Sequence, residues 1–206
     1  MADSFRTIVD RARTELKVRG SRFIGTAIAV DSREAAAVEL EAIRKEFWDA
    51  SHNCYAWRLA PDGLLYRFAD DGEPSGSAGK PILFVLQQRE LFNVLVVVTR
   101  YFGGTKLGVG GLARAYGETA AAVLDIAPTT TQFDRETLQV FTTYEDMRAV
   151  RQLVEDYSLS FEEEFRDVIT YRMAIRRDLV DEFAVRLTET SQGRAGMINL
   201  QQLESK

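Results

Sequence analysis

The segment Arg100-Tyr101-Phe102-Gly103-Gly104-Thr105-Lys106-Leu107-Gly108-Val109-Gly110-Gly111-Leu112-Ala113-Arg114-Ala115-Tyr116 is the part of this chain best equipped to hold a ligand. Five glycines fall within residues 103–111, between a valine-rich strand pattern and a helical one. Glycine lets the backbone take positive φ and approach a ligand closely. A helix N-terminus offers unpaired N–H groups and the positive end of a dipole, both suited to an anion. Arg100, Lys106 and Arg114 supply charge of the matching sign. Phosphate or an RNA backbone is the natural ligand, held by Arg100, Gly103, Gly104, Lys106, Gly108, Gly110, Gly111 and Arg114. The competing reading is a tight strand-to-helix connection whose glycines only permit packing. The spacing is neither the dinucleotide fingerprint G-x-G-x-x-G nor a P-loop.

A second segment runs from Asp70 to Pro81 (DDGEPSGSAGKP). Gly79-Lys80 suggests a Walker A loop, but Pro74 stands where its first glycine belongs and Pro81 where Ser or Thr would bind magnesium. Lys80 is instead expected to join the anion- and RNA-binding cations and, with the acidic loop, to shape the same groove as the glycine loop. Asp70, Asp71 and Glu73 are hard-cation ligand types, but they lack EF-hand spacing. No metal and no cofactor are assigned. These three acids, with His52, are expected to shape the site.

His52 and Cys54 share one face of a strand pattern, and Asn53, Tyr55 and Trp57 the other. Two residues apart on a strand puts side chains roughly 6–7 Å apart, beyond direct hydrogen bonding for a nucleophile and its base. A buried cysteine acting as a small hydrophobe is the expectation, and no catalytic residue is named. Lys17, Arg19 and Arg22 flank the start of another strand, beside Phe23. Arg22 is counted with the RNA-contacting cations, against the alternative of a charged strand edge that discourages sheet pairing.

These segments need elements to position them. Ser21–Val30 reads as a strand, followed by a helix to about Trp48 with Asp31 or Ser32 as its cap and Glu34 placed to answer Asp31. Residues 52–60 and 64–70 read as a hairpin around Pro61-Asp62-Gly63. Pro81 opens a short helix to about Leu91, Phe92–Tyr101 is a buried strand, and Leu112–Ile126 a helix. Pro128-Thr129-Thr130-Thr131 reads as a linker. Beyond it, strand 134–143, helix 145–157, strands 159–166 and 168–176, helix 178–190 and strand 196–203 give the order βαββαβ, the ferredoxin-like arrangement. The expected domains are 1–130 and 131–206, in an α+β fold.

Composition bounds the rest. The chain has 206 residues, 46% apolar and 28% charged, the balance of a globular protein. One cysteine excludes an internal disulfide, a thiolate zinc site and an iron–sulfur cluster. The start reads as no signal peptide, and the most apolar stretch, Val94–Val98, is too short to span a bilayer, so a cytoplasmic protein without membrane contact is expected. Net charge is −5, which argues against coating nucleic acid through bulk charge. Residues 1–130 are neutral and the whole deficit lies in 131–206, where Phe161-Glu162-Glu163-Glu164-Phe165 would repel phosphate. That half is read as a possible contact surface for a protein partner.

Taken together, Lys17, Ser21–Ile24, Ala50–Trp57, Asp70–Pro81 and Arg100–Tyr116 resemble the IMPACT family in its bacterial YigZ-type branch. The resemblance implies an N-terminal α/β domain like one in small-subunit ribosomal proteins and elongation factor G. It implies a C-terminal ferredoxin-like domain similar to the last domain of that factor. Animal and fungal members act in translational control. The expectation is therefore a translation-associated regulator binding RNA or the ribosome. The alternatives are a protein-interaction module acting through the acidic C-terminal domain and an enzyme on a phosphorylated small molecule or nucleotide.

Overall fold

The structure, a computed structural model, describes residues 4–59 and 64–200. The chain forms two compact units that divide between Gln132 and Phe133.

The first unit is built on five strands: β2 (Ala12–Val18), β3 (Ser21–Ala29), β4 (His52–Arg58), β5 (Tyr66–Ala69) and β6 (Val94–Tyr101). They lie in the order β2-β3-β6-β4-β5, each antiparallel to its neighbours. The central β6 has no polar face to offer, because helices cover both sides. Val94, Val96 and Val98 face the core shared with α2 (Gly79–Gln88) and α3 (Gly108–Ile126). Leu95 and Val97 face the core shared with α1 (Arg33–Glu46). A strand buried on both faces reads as a continuous apolar run, as this one does. The two faces of β4 separate as its alternation predicts, with Cys54 and Ala56 on the α2/α3 side and Tyr55 and Trp57 on the α1 side.

Several elements differ from expectation. The proposed linker is a strand: β7 (Thr129–Phe133) pairs with β1 (Ser4–Ile8), and Val9 N–H donates to the Pro128 carbonyl at 2.8 Å. Threonine's β-branched side chain suits a strand once a partner edge exists. Neither β1 nor β2 was anticipated. The α1 cap is Ser32, whose hydroxyl accepts from Ala35 N–H at 3.2 Å, so Asp31 and Glu34 form no capping box. Helix α2 starts at Gly79, ahead of Pro81, and α3 at Gly108 rather than Leu112. The hairpin tip Pro61-Asp62-Gly63 lies outside the described residues.

The second unit runs β8 (Arg135–Thr142), α4 (Met147–Tyr157), β9 (Ser158–Phe165), β10 (Ile169–Arg176), α5 (Val180–Ser191) and β11 (Gly196–Asn199). Its antiparallel sheet has the order β11-β8-β10-β9. Alternate residues of β10, namely Ile169, Tyr171, Met173 and Ile175, are buried against Val150 and Val154 of α4 and Phe183 and Leu187 of α5. The element order is the βαββαβ read from the sequence. The expected end of the last strand, beyond Leu200, falls outside the described residues.

Candidate functional site

One end of the five-stranded sheet gathers most of the residues singled out by chemistry. There β4 begins, β6 ends and β3 begins, so His52, Arg100 and Phe23 lie side by side across three strands. Helices α2 and α3 both start at this end, and their N-termini are treated differently.

The N-terminus of α2 has an internal anion. The Asp70 carboxylate accepts from the backbone N–H groups of Gly76 at 2.8 Å, Ala78 at 3.0 Å and Gly79 at 2.9 Å. This fixes the polar loop after β5 and explains why the helix begins before Pro81. Asp71, in the left-handed region at φ 45°, turns its carboxylate to accept from Asn53 N–H at 2.6 Å. The Asp71 carbonyl meets His52 Nδ1 at 2.7 Å. A carbonyl only accepts, so the ring hydrogen sits on Nδ1 and Nε2 faces Glu73 Oε1, 3.9 Å away.

Glu73 is the centre of the cluster. Its Oε1 accepts from Arg100 Nη1 at 2.6 Å and from the Tyr116 hydroxyl at 2.8 Å. Arg100 also donates from Nη2 to Ser21 Oγ at 3.3 Å, and Gly103 N–H donates to the same hydroxyl at 3.2 Å. Burial pushes the Tyr116 hydroxyl well above its ordinary range, so it remains a donor at any physiological pH. Cys54 donates to the Asp70 carbonyl at 2.9 Å, and burial pushes its thiol up to about 12. A thiol held protonated is no nucleophile, which agrees with the packing role expected of it.

Among the described residues the N-terminus of α3 has no such internal partner: its first residue follows Leu107, which makes no side-chain cap bond. The glycine loop before it is exposed from Phe102 to Lys106. Gly104 and Gly108 take φ of 83° and 72°, a region L side chains rarely adopt. Gly103 is glycine for another reason. A Cβ there would lie 1.9 Å from the carbonyl carbon of Gly20, in the turn between β2 and β3. Beside the first turns of α3 is a groove of about 280 Å³ lined by Arg19, Gly111, Arg114 and Glu118 among others.

The expected site residues therefore divide. Lys106 and Arg114 are exposed at the start of α3, whereas Arg100 is buried and engaged internally. Arg22 pairs with Glu15 at 3.2 Å and stacks on Tyr101, 4.8 Å from the ring centre. Lys80 is exposed in the first turn of α2. His52, Asp70, Asp71 and Glu73 each hold a neighbour in place. Among the described residues they build no cation site, since Asp70 is occupied by backbone N–H groups and Glu73 by Arg100. Ser21 and Tyr116 have no role assigned from the sequence, whereas Arg19 belongs to the basic segment weighed there as an RNA-contacting face. Ser21 and Tyr116 stand inside segments already noted, but their shared partners are far away along the chain.

The chain matches the Impact N-terminal domain over residues 19–124. It is 32% identical to the IMPACT family member YvyE of Bacillus subtilis, covering 95% of this chain and 90% of that protein. It is 33% identical to the IMPACT family member YigZ of Escherichia coli, covering 90% and 93% of the two chains. The crystal structure of a hypothetical protein superposes with a TM-score of 0.75 at 30% identity, covering 96% of this chain and 98% of the other. Both units are thus shared with bacterial relatives along nearly their whole length, and the chain belongs to the IMPACT family.

Proposed function

We propose that this protein is a translation-associated regulator that binds RNA or the ribosome through the glycine loop and the first turn of α3. The observation that carries the reading is the contrast between two neighbouring helix starts. Helix α2 has the Asp70 carboxylate on its N–H groups, while α3 has no side-chain cap and is flanked by exposed Lys106, Arg114 and Arg19. A phosphate would do for α3 what Asp70 does for α2. In this arrangement Arg100 is a positioning residue: with Ser21 it sets the start of the loop. Glu118 also lines the groove, and its negative charge opposes phosphate beside it.

The family resemblance supports the translational setting, and the cytoplasm is the compartment it requires. The order βαββαβ with sheet order β11-β8-β10-β9 supports the ferredoxin-like reading of the second unit, and with it the likeness to elongation factor G. The exposed acids Glu162, Glu163 and Glu164 on β9 favour a protein contact for that unit over a second RNA surface.

The test is co-sedimentation with ribosomes and with bulk tRNA at about 50 and 200 mM salt. Contact with six phosphates lowers affinity about a thousandfold over that range. Binding that is strong at low salt and lost at high salt is expected. Absence of binding at low salt would overturn the proposal.

A further inference from the structure

The opposite end of the same sheet holds a second feature, unrelated to the glycine loop. Arg58 closes β4 there, paired in register with Val94 at the start of β6. Its guanidinium carbon lies over Phe92, 3.9 Å from the ring centre. It is half-buried, and two of its nitrogens, Nε and Nη1, are sealed from solvent without a hydrogen-bond partner. Among the described residues it forms no ion pair. Two sealed guanidinium nitrogens with no acceptor are costly, because the lost water is not replaced. Burial accordingly pulls Arg58 below its ordinary range, opposed only by Glu90.

Arg58 lines a cavity of about 420 Å³, together with Phe5, Arg6, Gln87, Glu90, Phe92 and others. That is the size of a small-molecule pocket. Phe5 and Phe92 meet edge to face, with ring centres 6.1 Å apart, and form an apolar wall. Arg6, exposed, is held nearby through a 3.5 Å contact from Nη2 to Thr129 Oγ1. Two cations and one carboxylate leave a single net positive charge around the cavity.

We propose that this cavity is a binding site for a small monocarboxylate with an aromatic or branched apolar body. The carboxylate takes the Arg58 guanidinium at Nη2, the nitrogen that is not sealed, with Arg6 as second cation, and the apolar body lies on the Phe5–Phe92 wall. Glu90 disfavours polyanions, so inorganic phosphate and nucleotides are the wrong ligands here. The site lies at the far end of the sheet from α3's N-terminus, so it stands or falls independently of RNA binding.

The test titrates the full chain with benzoate, N-acetyl-phenylalanine and inorganic phosphate, following thermal stability and the Arg58 Nε–Hε NMR resonance. N-acetyl-phenylalanine presents its carboxylate as a peptide C-terminus does, so it separates a peptide-end ligand from a free metabolite. Saturable binding of at least one carboxylate is expected, with a shift of the Arg58 resonance and about tenfold weaker binding in Arg58→Met and Arg6→Gln. Arg58→Met without ligand is expected to be at least as stable as the parent, since it removes an unpaired charge. Lys106→Ala is expected to bind carboxylate unchanged. Failure of both carboxylates, preference for phosphate, or undiminished binding in Arg58→Met would each overturn the proposal.

Discussion

Glu73 and Arg100 face each other across 2.6 Å with almost no solvent on either side chain. One comes from the polar loop before α2, the other from the end of the central strand. Tyr116 of α3 donates to the same Glu73 oxygen, so loop, sheet and helix meet at one atom. The guanidinium is also enclosed by the rings of Phe23 and Phe102, at 5.5 and 5.4 Å. A buried pair of this kind contributes little net stability relative to an apolar pair, but removing one partner strands the other.

Glu73→Ala is therefore expected to destabilise the first unit by about 3–5 kcal/mol. Glu73→Ala with Arg100→Met is expected to lose less than Glu73→Ala alone. Urea unfolding of the single and double variants measures both. A double variant as damaged as the sum of the singles would show that the pair is not coupled.

Two glycines of the same loop should respond in opposite directions. Gly103→Ala drives a methyl group into the backbone of Gly20 and is expected to cost about 3 kcal/mol or more. Gly110 lies in the first turn of α3 with open space where a Cβ would go. Gly110→Ala is expected to raise stability by roughly 0.5–1 kcal/mol while weakening RNA binding, because the methyl keeps phosphate off the helix N–H groups. Thermal melts and tRNA co-sedimentation on the same samples separate the two effects.

Lys106→Ala and Arg114→Ala are each expected to reduce the salt slope of RNA binding by about one and to weaken binding uniformly across sequences. Neither should alter the melting temperature by much, since both side chains are exposed. An unchanged slope in both variants would remove the loop from the contact.

Alkaline pH should find the first unit's weak point. The Cys54 thiol is raised from 9.0 to about 12 in the folded chain, and the Tyr116 hydroxyl is also raised, both chiefly by burial. The unfolded chain loses these protons first, so their contribution is complete below about pH 9 and is lost as pH climbs towards 12. Melting temperature is expected to fall over that window, less steeply in Cys54→Ala. At pH 8 a thiol reagent should label the native chain only as fast as it unfolds, which trapping with and without urea will show.

The second unit was legible element by element, because β10 and α5 each carry a clean period and bury one face. The valine run of β6 and the divided faces of β4 were legible for the same reason. The edge elements were not: β2 alternates only half-buried and exposed residues, and β7 is exposed throughout, so neither offers a hydrophobic signal. The start of α3 was missed because glycine argues against helix locally, and the helix is decided by packing further along, from Leu112 to Leu124. The polar loop was recognised as special, but its logic was hidden. Asp70 serves amides six to nine residues away, and Glu73 meets an arginine 27 residues on. Cation type and position alone placed Arg100 with Lys106 and Arg114; only the fold separates the enclosed cation from the exposed ones.

The contact between Gly103 and Gly20 has a kinetic consequence. With no side chain between them, the loop's first residue rests on the backbone of the β2–β3 turn, and Ser21 holds both Gly103 and Arg100. The root of the loop cannot swing away without opening that turn. A ligand bound as proposed at the start of α3 would meet a surface already in shape, so little ordering entropy would be lost on capture. Association should then be governed by electrostatic encounter rather than by a slow rearrangement of the loop, with on-rates that fall as salt rises and show no lag.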